Sequence, residues 1–129
     1  MKIVNFGDGF GSDYHGADKA SEDHIVINGE IYKLDVSEME YDPEDYLKPR
    51  KIRTKTPQNL YQTKKFPERH CEVSFESVGT LKDGVNLVAL SFSQTVVYGY
   101  FSGSCQLEEG RTVSFSKVFG HVEHMSTRW

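Results

Sequence analysis

A strict alternation of apolar and polar side chains runs through residues 71–76. Cys71, Val73 and Phe75 are apolar, and the residues between them are polar. Successive side chains of a β-strand point to opposite faces of a sheet, so this pattern predicts a half-buried strand. Helical periodicity is nearly absent, and only residues 17–22 suit a short turn of helix. The chain is therefore predicted to be all-β, with antiparallel strands.

Turn residues indicate where these strands reverse. Asn28-Gly29 separates two β-rich runs, and a type I′ hairpin needs positive φ at both of its central residues. Glu108–Gly110 predicts a second hairpin after a long β run over residues 94–107. Gly99 and Gly103 interrupt that run and are expected to mark bulges or bends at which the sheet curls.

The other predicted elements bring the total to eight to ten strands. They are a short strand at Lys51–Thr54, a turn at Lys82–Gly84, a strand apolar on both faces at Asn86–Phe92, and strands at Thr112–Ser116 and Phe119–Met125. Residues 55–69 are predicted to form a long basic loop. The spacing suits one domain over residues 1–129, built as a curled antiparallel sheet or β-barrel, with a β-sandwich as the alternative.

The net charge of −4 hides two opposite blocks. Residues 1–46 carry 12 acidic and 3 basic side chains, whereas residues 47–70 carry 8 basic side chains and one acidic one. A basic segment such as 48–69 can bind phosphates and make the chain an interaction or nucleic-acid-binding module. Because no nucleic-acid-binding motif accompanies it, we favour the interpretation that it lies beside the acidic block of the same chain.

The two cysteines, the lack of long apolar runs and the N-terminal residues indicate the kind of environment in which the chain folds. Cys71 and Cys105 lack CxxC spacing and are interpreted as two small buried side chains, which form a disulfide only if the fold brings them together. No apolar run approaches the roughly 18 residues of a membrane span. The first residues lack the features of a signal peptide, so a cytoplasmic location is expected.

Acid–base candidates lie near the C-terminus. In a strand, His121 and Glu123 share one face while Val122 and His124 share the other. Such a pair can relay a proton, although it can equally be a structural hydrogen bond, and with Tyr98 it makes up the set of candidate catalytic residues. No histidine or cysteine spacing indicates a metal site, and no cofactor motif is present.

Aromatic side chains are numerous, with eight Phe, seven Tyr and one Trp. On the inner face of a curled sheet they could hold a small hydrophobic ligand. The residues expected to contact it are Phe75, Phe92, Tyr98, Tyr100 and Trp129. Whether such a protein also acts as an enzyme is left open, and an open-edged sheet is expected to pair with a second copy as a homodimer.

Several short motifs occur in an order that resembles the family catalogued as domain of unknown function 2804. These are Asn5–Phe10, Asp23–Leu34, Tyr41–Pro49, Tyr98–Gly103, Leu107–Gly110 and Gly120–Trp129. The resemblance covers the C-terminal part of a typical, longer member. The chain departs from it at Pro49-Arg50, where the family commonly has Pro-Trp, and at Phe75-Glu76-Ser77, where it has Phe-x-Pro.

The resemblance implies a distant kinship with lipocalin-like two-barrel proteins, which include carotenoid hydratases and tocopherol cyclases. It implies a lipocalin-like β-barrel whose cavity takes a small hydrophobic or lipid-like ligand. As the alternative, it implies a hydratase-like or isomerase-like enzyme acting on a lipid or isoprenoid. Since one fold serves many functions, these remain expectations.

Overall fold

The computed structural model describes residues 2–5, 24–35, 37–54, 67–87, 89–108 and 110–128. These residues form antiparallel strands, which confirms the predicted all-β class. The strands are β1 (Lys2–Asn5), β2 (His24–Ile27), β3 (Glu30–Lys33), β4 (Ser37–Glu40), β5 (Arg50–Thr54), β6 (His70–Leu87), β7 (Leu90–Glu108) and β8 (Arg111–Arg128). Strands β1–β3 form one sheet and β4–β8 a second, each in sequence order. Within these ranges there is no helix long and apolar enough to cross a membrane.

The predicted hairpin at Asn28-Gly29 is confirmed. It joins β2 to β3, and its central residues have φ values of 52° and 84°. Positive φ at both positions is the geometry of a type I′ turn, which Asn and Gly adopt at little steric cost. The short strand predicted at Lys51–Thr54 is also confirmed, as β5, and the second predicted hairpin reverses the chain between β7 and β8.

Two predictions for β6 are wrong. The turn expected at Lys82–Gly84 lies inside a strand, because residues 82–84 pair continuously with Ser93–Thr95 of β7. The strand expected at Asn86–Phe92 instead contains the hairpin that joins β6 to β7, with Leu87 opposite Leu90. Local turn chemistry is outweighed here by a ladder of cross-strand hydrogen bonds that extends along both strands.

The two strands predicted near the C-terminus are one strand, β8, with a bulge in it. Phe101 of β7 pairs with Val118, but Gly103 pairs with Phe115, so β8 holds one extra residue. Lys117 occupies the bulge with a φ of 51°, and its amide donates a hydrogen bond to the Ser102 hydroxyl at 2.9 Å. The bulge lets the ladder continue past a site where a gap was expected.

The five-stranded sheet is curled but open. The predicted curled sheet is therefore confirmed, whereas the predicted closure into a β-barrel is not found in the part of the chain that the structure describes. In the described residues β4 and β8 are its two edges. A second register shift lies between Ser77 and Gly79 of β6. Opposite it, a Cβ at Gly99 would overlap the carbonyl oxygen of Glu76 and the ring of Phe75. Glycine therefore permits a close approach of β7 to β6 at this point.

We call inner the face of the five-stranded sheet that carries Ile52, Val73 and Leu107. At one end of this face it is covered by Ile25, Ile27 and Tyr32 of the three-stranded sheet and by Leu34, which follows β3. All these side chains form one buried cluster. The Arg111 guanidinium donates to the Tyr32 hydroxyl at 2.6 Å and ties the two sheets together. A second buried cluster lies farther along the inner face and consists of Phe75, Val97 and Val122.

Cys71 and Cys105 lie directly opposite one another on β6 and β7 and form a disulfide. Both are fully buried in the first cluster. The sequence-based prediction of burial is confirmed, but the interpretation as two separate thiols is wrong. The pairing register of two strands decided this, because it places residues 34 positions apart side by side.

Candidate functional site

Arg50 is the first residue of β5, and its side chain is almost completely buried, with 1% exposed. In this strand Arg50, Ile52 and Thr54 point to the inner face, whereas Lys51 and Arg53 are exposed. The alternation of the strand therefore carries a guanidinium into the interior. Because buried arginines are rare and costly, the position marks Arg50 as a candidate functional residue.

The guanidinium of Arg50 contacts neutral groups. Its Nη2 donates to the backbone oxygen of Tyr46 at 2.9 Å, and its Nη1 lies 2.5 Å from Nε2 of His124. The Met39 sulfur, a weak acceptor, is 3.7 Å from Nη1. Nε is buried and has no hydrogen-bond partner among the described residues.

Three aromatic rings surround the Arg50 cation. Its central carbon lies 5.4 Å from the ring centre of Tyr41, 5.5 Å from that of Tyr46 and 5.9 Å from that of Phe75. The ring of His124 stacks on Tyr46, with centres 4.3 Å apart and planes 9° apart. We call this group of residues, together with Met39, the Arg50 cage. Each cation–π contact is attractive by about 0.5–2 kcal/mol.

In the described part of the chain, no carboxylate forms an ion pair with Arg50. Removing an ion from water costs several kcal/mol, and buried charges are ordinarily balanced by an opposite charge. The rings and neutral acceptors offset part of that cost. Burial lowers the pKa of Arg50, although the nearby Tyr41 and Tyr46 hydroxyl groups act in the opposite direction. A cage with this electrostatic character favours an incoming anion.

His124 completes the cage from β8. Burial, and then the positive charge of Arg50, lower the pKa of the His124 imidazole. Since the guanidinium is a donor only, Nε2 of His124 must accept the hydrogen bond, which assigns the proton to Nδ1. The neutral imidazole thus serves as an acceptor that positions Nη1 of Arg50.

Residues 41–49 cover the cage from outside. Backbone bonds from Asp45 to Asp42 and from Lys48 to Asp45 shape this segment, and the Asp42 and Lys48 side chains form an ion pair. Its attachment to β6 includes a hydrogen bond from the Ser77 hydroxyl to the Leu47 carbonyl. Tyr41 is 38% exposed, which makes it the most exposed residue of the cage.

The structure separates the candidate residues named from the sequence. Of the candidate ligand-binding residues, Phe75 lies on the inner face. The strand register places Phe92, Tyr98 and Tyr100 on the opposite, outer face. Trp129 lies outside the described residues. The roles assigned to these side chains remain predictions.

The acid–base candidates also lie on the outer face. His121 Nε2 is 3.2 Å from Glu123 Oε1, and the Tyr98 ring centre is 6.2 Å from that of His121. The prediction that His121 and Glu123 share one face and Val122 and His124 the other is confirmed. All three candidates are at least partly exposed to solvent.

Several side chains of the basic block pair with the acidic block. Lys48 binds Asp42, and Arg53 binds both Glu38 and Glu40. These contacts agree with the interpretation that the two blocks lie beside one another. Residues 55–66, most of the predicted basic loop, and residues 17–22, predicted as a short turn of helix, lie outside the described part.

Sequence reasoning missed the Arg50 cage, although one signal was available. Following the alternation backward from Ile52 places Arg50 on the apolar face, and position 50 is also where the chain departs from the family resemblance. Tyr41 and Tyr46 gave no comparable signal, because their approach to His124 depends on the path of a loop. Among the described residues, no group of three His, Cys, Asp or Glu could hold a metal ion.

Comparison with known proteins gives a family but no function. Neither a curated protein nor a solved structure matches this chain. The model of the family described as Domain of unknown function (DUF2804) matches residues 2–129. The chain therefore belongs to the DUF2804 family.

Proposed function

We propose that this domain binds a small lipid-like ligand whose anionic group pairs with Arg50. The observation that carries the proposal is a buried guanidinium whose partners, within the described residues, are all neutral. A bound carboxylate would supply the missing opposite charge and accept from Nε, the donor that lacks a partner. Arginine and carboxylate groups match in shape and form short, charge-assisted hydrogen bonds.

The surroundings of the cage favour an apolar ligand body. Met39, Tyr46 and Phe101 are only partly buried and pack against the buried cluster of Phe75, Val97 and Val122. Ligand sites typically combine such apolar walls with a few placed polar groups. An acyl chain can lie along these side chains once the head group reaches Arg50, and displacement of the exposed Tyr41 ring opens the path.

Titration calorimetry with laurate and with dodecanol tests this proposal, because the two share a hydrocarbon chain and differ in charge. We expect laurate to bind more tightly. Arg50→Met should weaken laurate binding by roughly tenfold or more, since a hydrogen bond to a charged group contributes about 1.5–3 kcal/mol. Binding of dodecanol should be little changed. Lys51→Met is the matched control, because Lys51 neighbours Arg50 on the exposed face of β5.

Stability separates a binding role from a structural one. If Arg50 serves binding, Arg50→Met should leave the free energy of unfolding unchanged or raise it by about 1 kcal/mol, because an apolar side chain replaces a buried ion. A clear loss of stability together with unchanged laurate affinity would contradict the proposal. So would an absence of laurate binding by the unmodified protein.

An acid–base activity is the second candidate, favoured by the contact between His121 and Glu123. In it, Glu123 orients the imidazole, and His121 exchanges a proton with a lipid or isoprenoid substrate. Turnover that disappears in Glu123→Gln while the fold stays intact would support this candidate. Equal turnover by the variant would dismiss it.

A further inference from the structure

The outer face of the long strands carries a continuous row of apolar side chains. Their cross-strand pairing places them on one face of β6, β7 and β8, from Tyr100 at one end to Leu90 at the other. We call this row the outer strip. Its members are Leu81, Val85, Leu87, Leu90, Phe92, Val96, Tyr98, Tyr100, Phe119 and Met125.

The outer strip is exposed to an unusual degree. Leu81, Phe119 and Met125 are 59%, 60% and 63% exposed, and no member is buried. Seven members are between 40% and 63% exposed and the other three are less exposed, so side chains of about 150–200 Å² each leave on the order of 800 Å² uncovered. The largest apolar patch of an ordinary monomer is about 300–600 Å². A specific interface takes about 800 Å² from each partner. The strip thus has the area of one complete interface.

Charge is distributed over the strip as in a protein interface. The central strand β7 contributes Leu90, Phe92, Val96, Tyr98 and Tyr100, with Gln94 the one polar side chain among them. The carboxylates beside the strip lie on the two flanking strands, at Glu76 and Asp83 of β6 and at Glu123 of β8. An apolar centre with a polar rim is the usual anatomy of an interface. A carboxylate rim disfavours an anionic membrane, which attracts basic side chains instead.

We propose that the outer strip is the interface with a second copy of this chain. A two-fold axis through β7 would bring the apolar centres of both strips together, because a uniformly apolar face complements itself. The two sheets would then pack face to face as in a β-sandwich. The rim carboxylates would stay in contact with water, and Glu123 would keep its contact with His121. This proposal does not depend on the ligand proposed above, since the Arg50 cage lies on the other face.

Sedimentation equilibrium of the full chain tests the proposal with two neighbouring residues. Met125 lies on the outer face, and Ser126 lies on the inner face of the same strand; both are exposed. We expect the unmodified protein to be dimeric. Met125→Lys should raise the dimer dissociation constant by roughly tenfold or more, as a charge placed in an apolar interface does. Ser126→Lys should leave it unchanged.

Phe119→Lys is the second variant, and circular dichroism verifies that each variant keeps its strands. A monomer at every accessible concentration would overturn the proposal. A dimer equally resistant to Met125→Lys and Phe119→Lys would assign the interface to another surface. Flotation with phosphatidylcholine vesicles, abolished by the same two variants in a monomeric protein, would assign the strip to a lipid surface and likewise overturn the proposal.

Discussion

The three long strands have a proximal half that buries apolar side chains on the inner face and a distal half that buries none. In the proximal half (residues 70–80, 97–108 and 111–122), Val73, Phe75 and Val97 are buried on the inner face. In the distal half (residues 81–87, 90–96 and 123–128), no described residue is buried, and seven of the ten members of the outer strip lie there exposed or partly exposed. The same antiparallel ladder continues through both halves.

This difference teaches that backbone pairing and core formation can be separated within one sheet. The cross-strand hydrogen bonds satisfy the backbone donors and acceptors of the distal half, and this requires no second layer of the fold. The free energy of folding, however, comes mainly from apolar burial. Among the described residues this burial lies in the proximal half, at Ile52 of β5, and in the three-stranded sheet with the adjoining Leu34. The Arg50 cage lies where the inner face changes from apolar to polar, and this position brings a cation next to Phe75 and His124.

Truncating one apolar side chain in each half should sharpen the comparison. Phe75→Ala should lower the free energy of unfolding by about 3–5 kcal/mol, because it leaves a cavity at a fully buried position. Leu81→Ala should change it by no more than about 0.5 kcal/mol in the monomer, because that side chain is exposed. Urea unfolding at a protein concentration below that of self-association measures both. Equal losses would mean that the distal half is covered in solution.

Reduction of the Cys71–Cys105 disulfide, which lies in the proximal half, should lower the free energy of unfolding. The bond joins residues 34 positions apart, and its loss should cost about 3–4 kcal/mol in the loop-entropy account. Urea unfolding with and without reductant measures this cost. The double variant Cys71→Ala/Cys105→Ala is the control and should not respond to reductant. If the unmodified protein is equally insensitive, the two thiols are not bonded in solution.

Acidification should lower the free energy of unfolding by a smaller amount, through His124 at the boundary between the two halves. Burial and Arg50 lower the folded-state pKa of His124 below its ordinary value of 6.5. Between these two pKa values the unfolded chain binds more protons, so stability rises with pH through this window and falls on acidification. Thermal unfolding between pH 7 and pH 5 measures the slope. His124→Phe should flatten it, whereas Ser126→Phe, which adds a ring on the same face of β8 and removes no imidazole, should not. An unaltered slope in His124→Phe would exclude this imidazole as the cause.

The strands were predictable where local patterns and turn chemistry agreed. Alternation over residues 71–76 and the Asn28-Gly29 turn needed only short-range information. The turn predicted at Lys82–Gly84 was wrong because cross-strand pairing, a non-local interaction, outweighed three turn-forming residues. For the candidate site, alternation in β5 indicated the face of Arg50, but nothing local indicated its neighbours.

The sequence by itself determined the all-β class, the hairpins at Asn28-Gly29 and Glu108–Gly110, and the faces of residues 71–76 and 121–124, because these follow from period-two geometry and from backbone preferences of single residues. Only the tertiary structure decided the pairing of Cys71 with Cys105, the arrival of Tyr41, Tyr46 and His124 around Arg50, and the openness of the sheet. Each of these depends on the register and path of segments distant in sequence, where long-range packing energies rather than local preferences select the outcome.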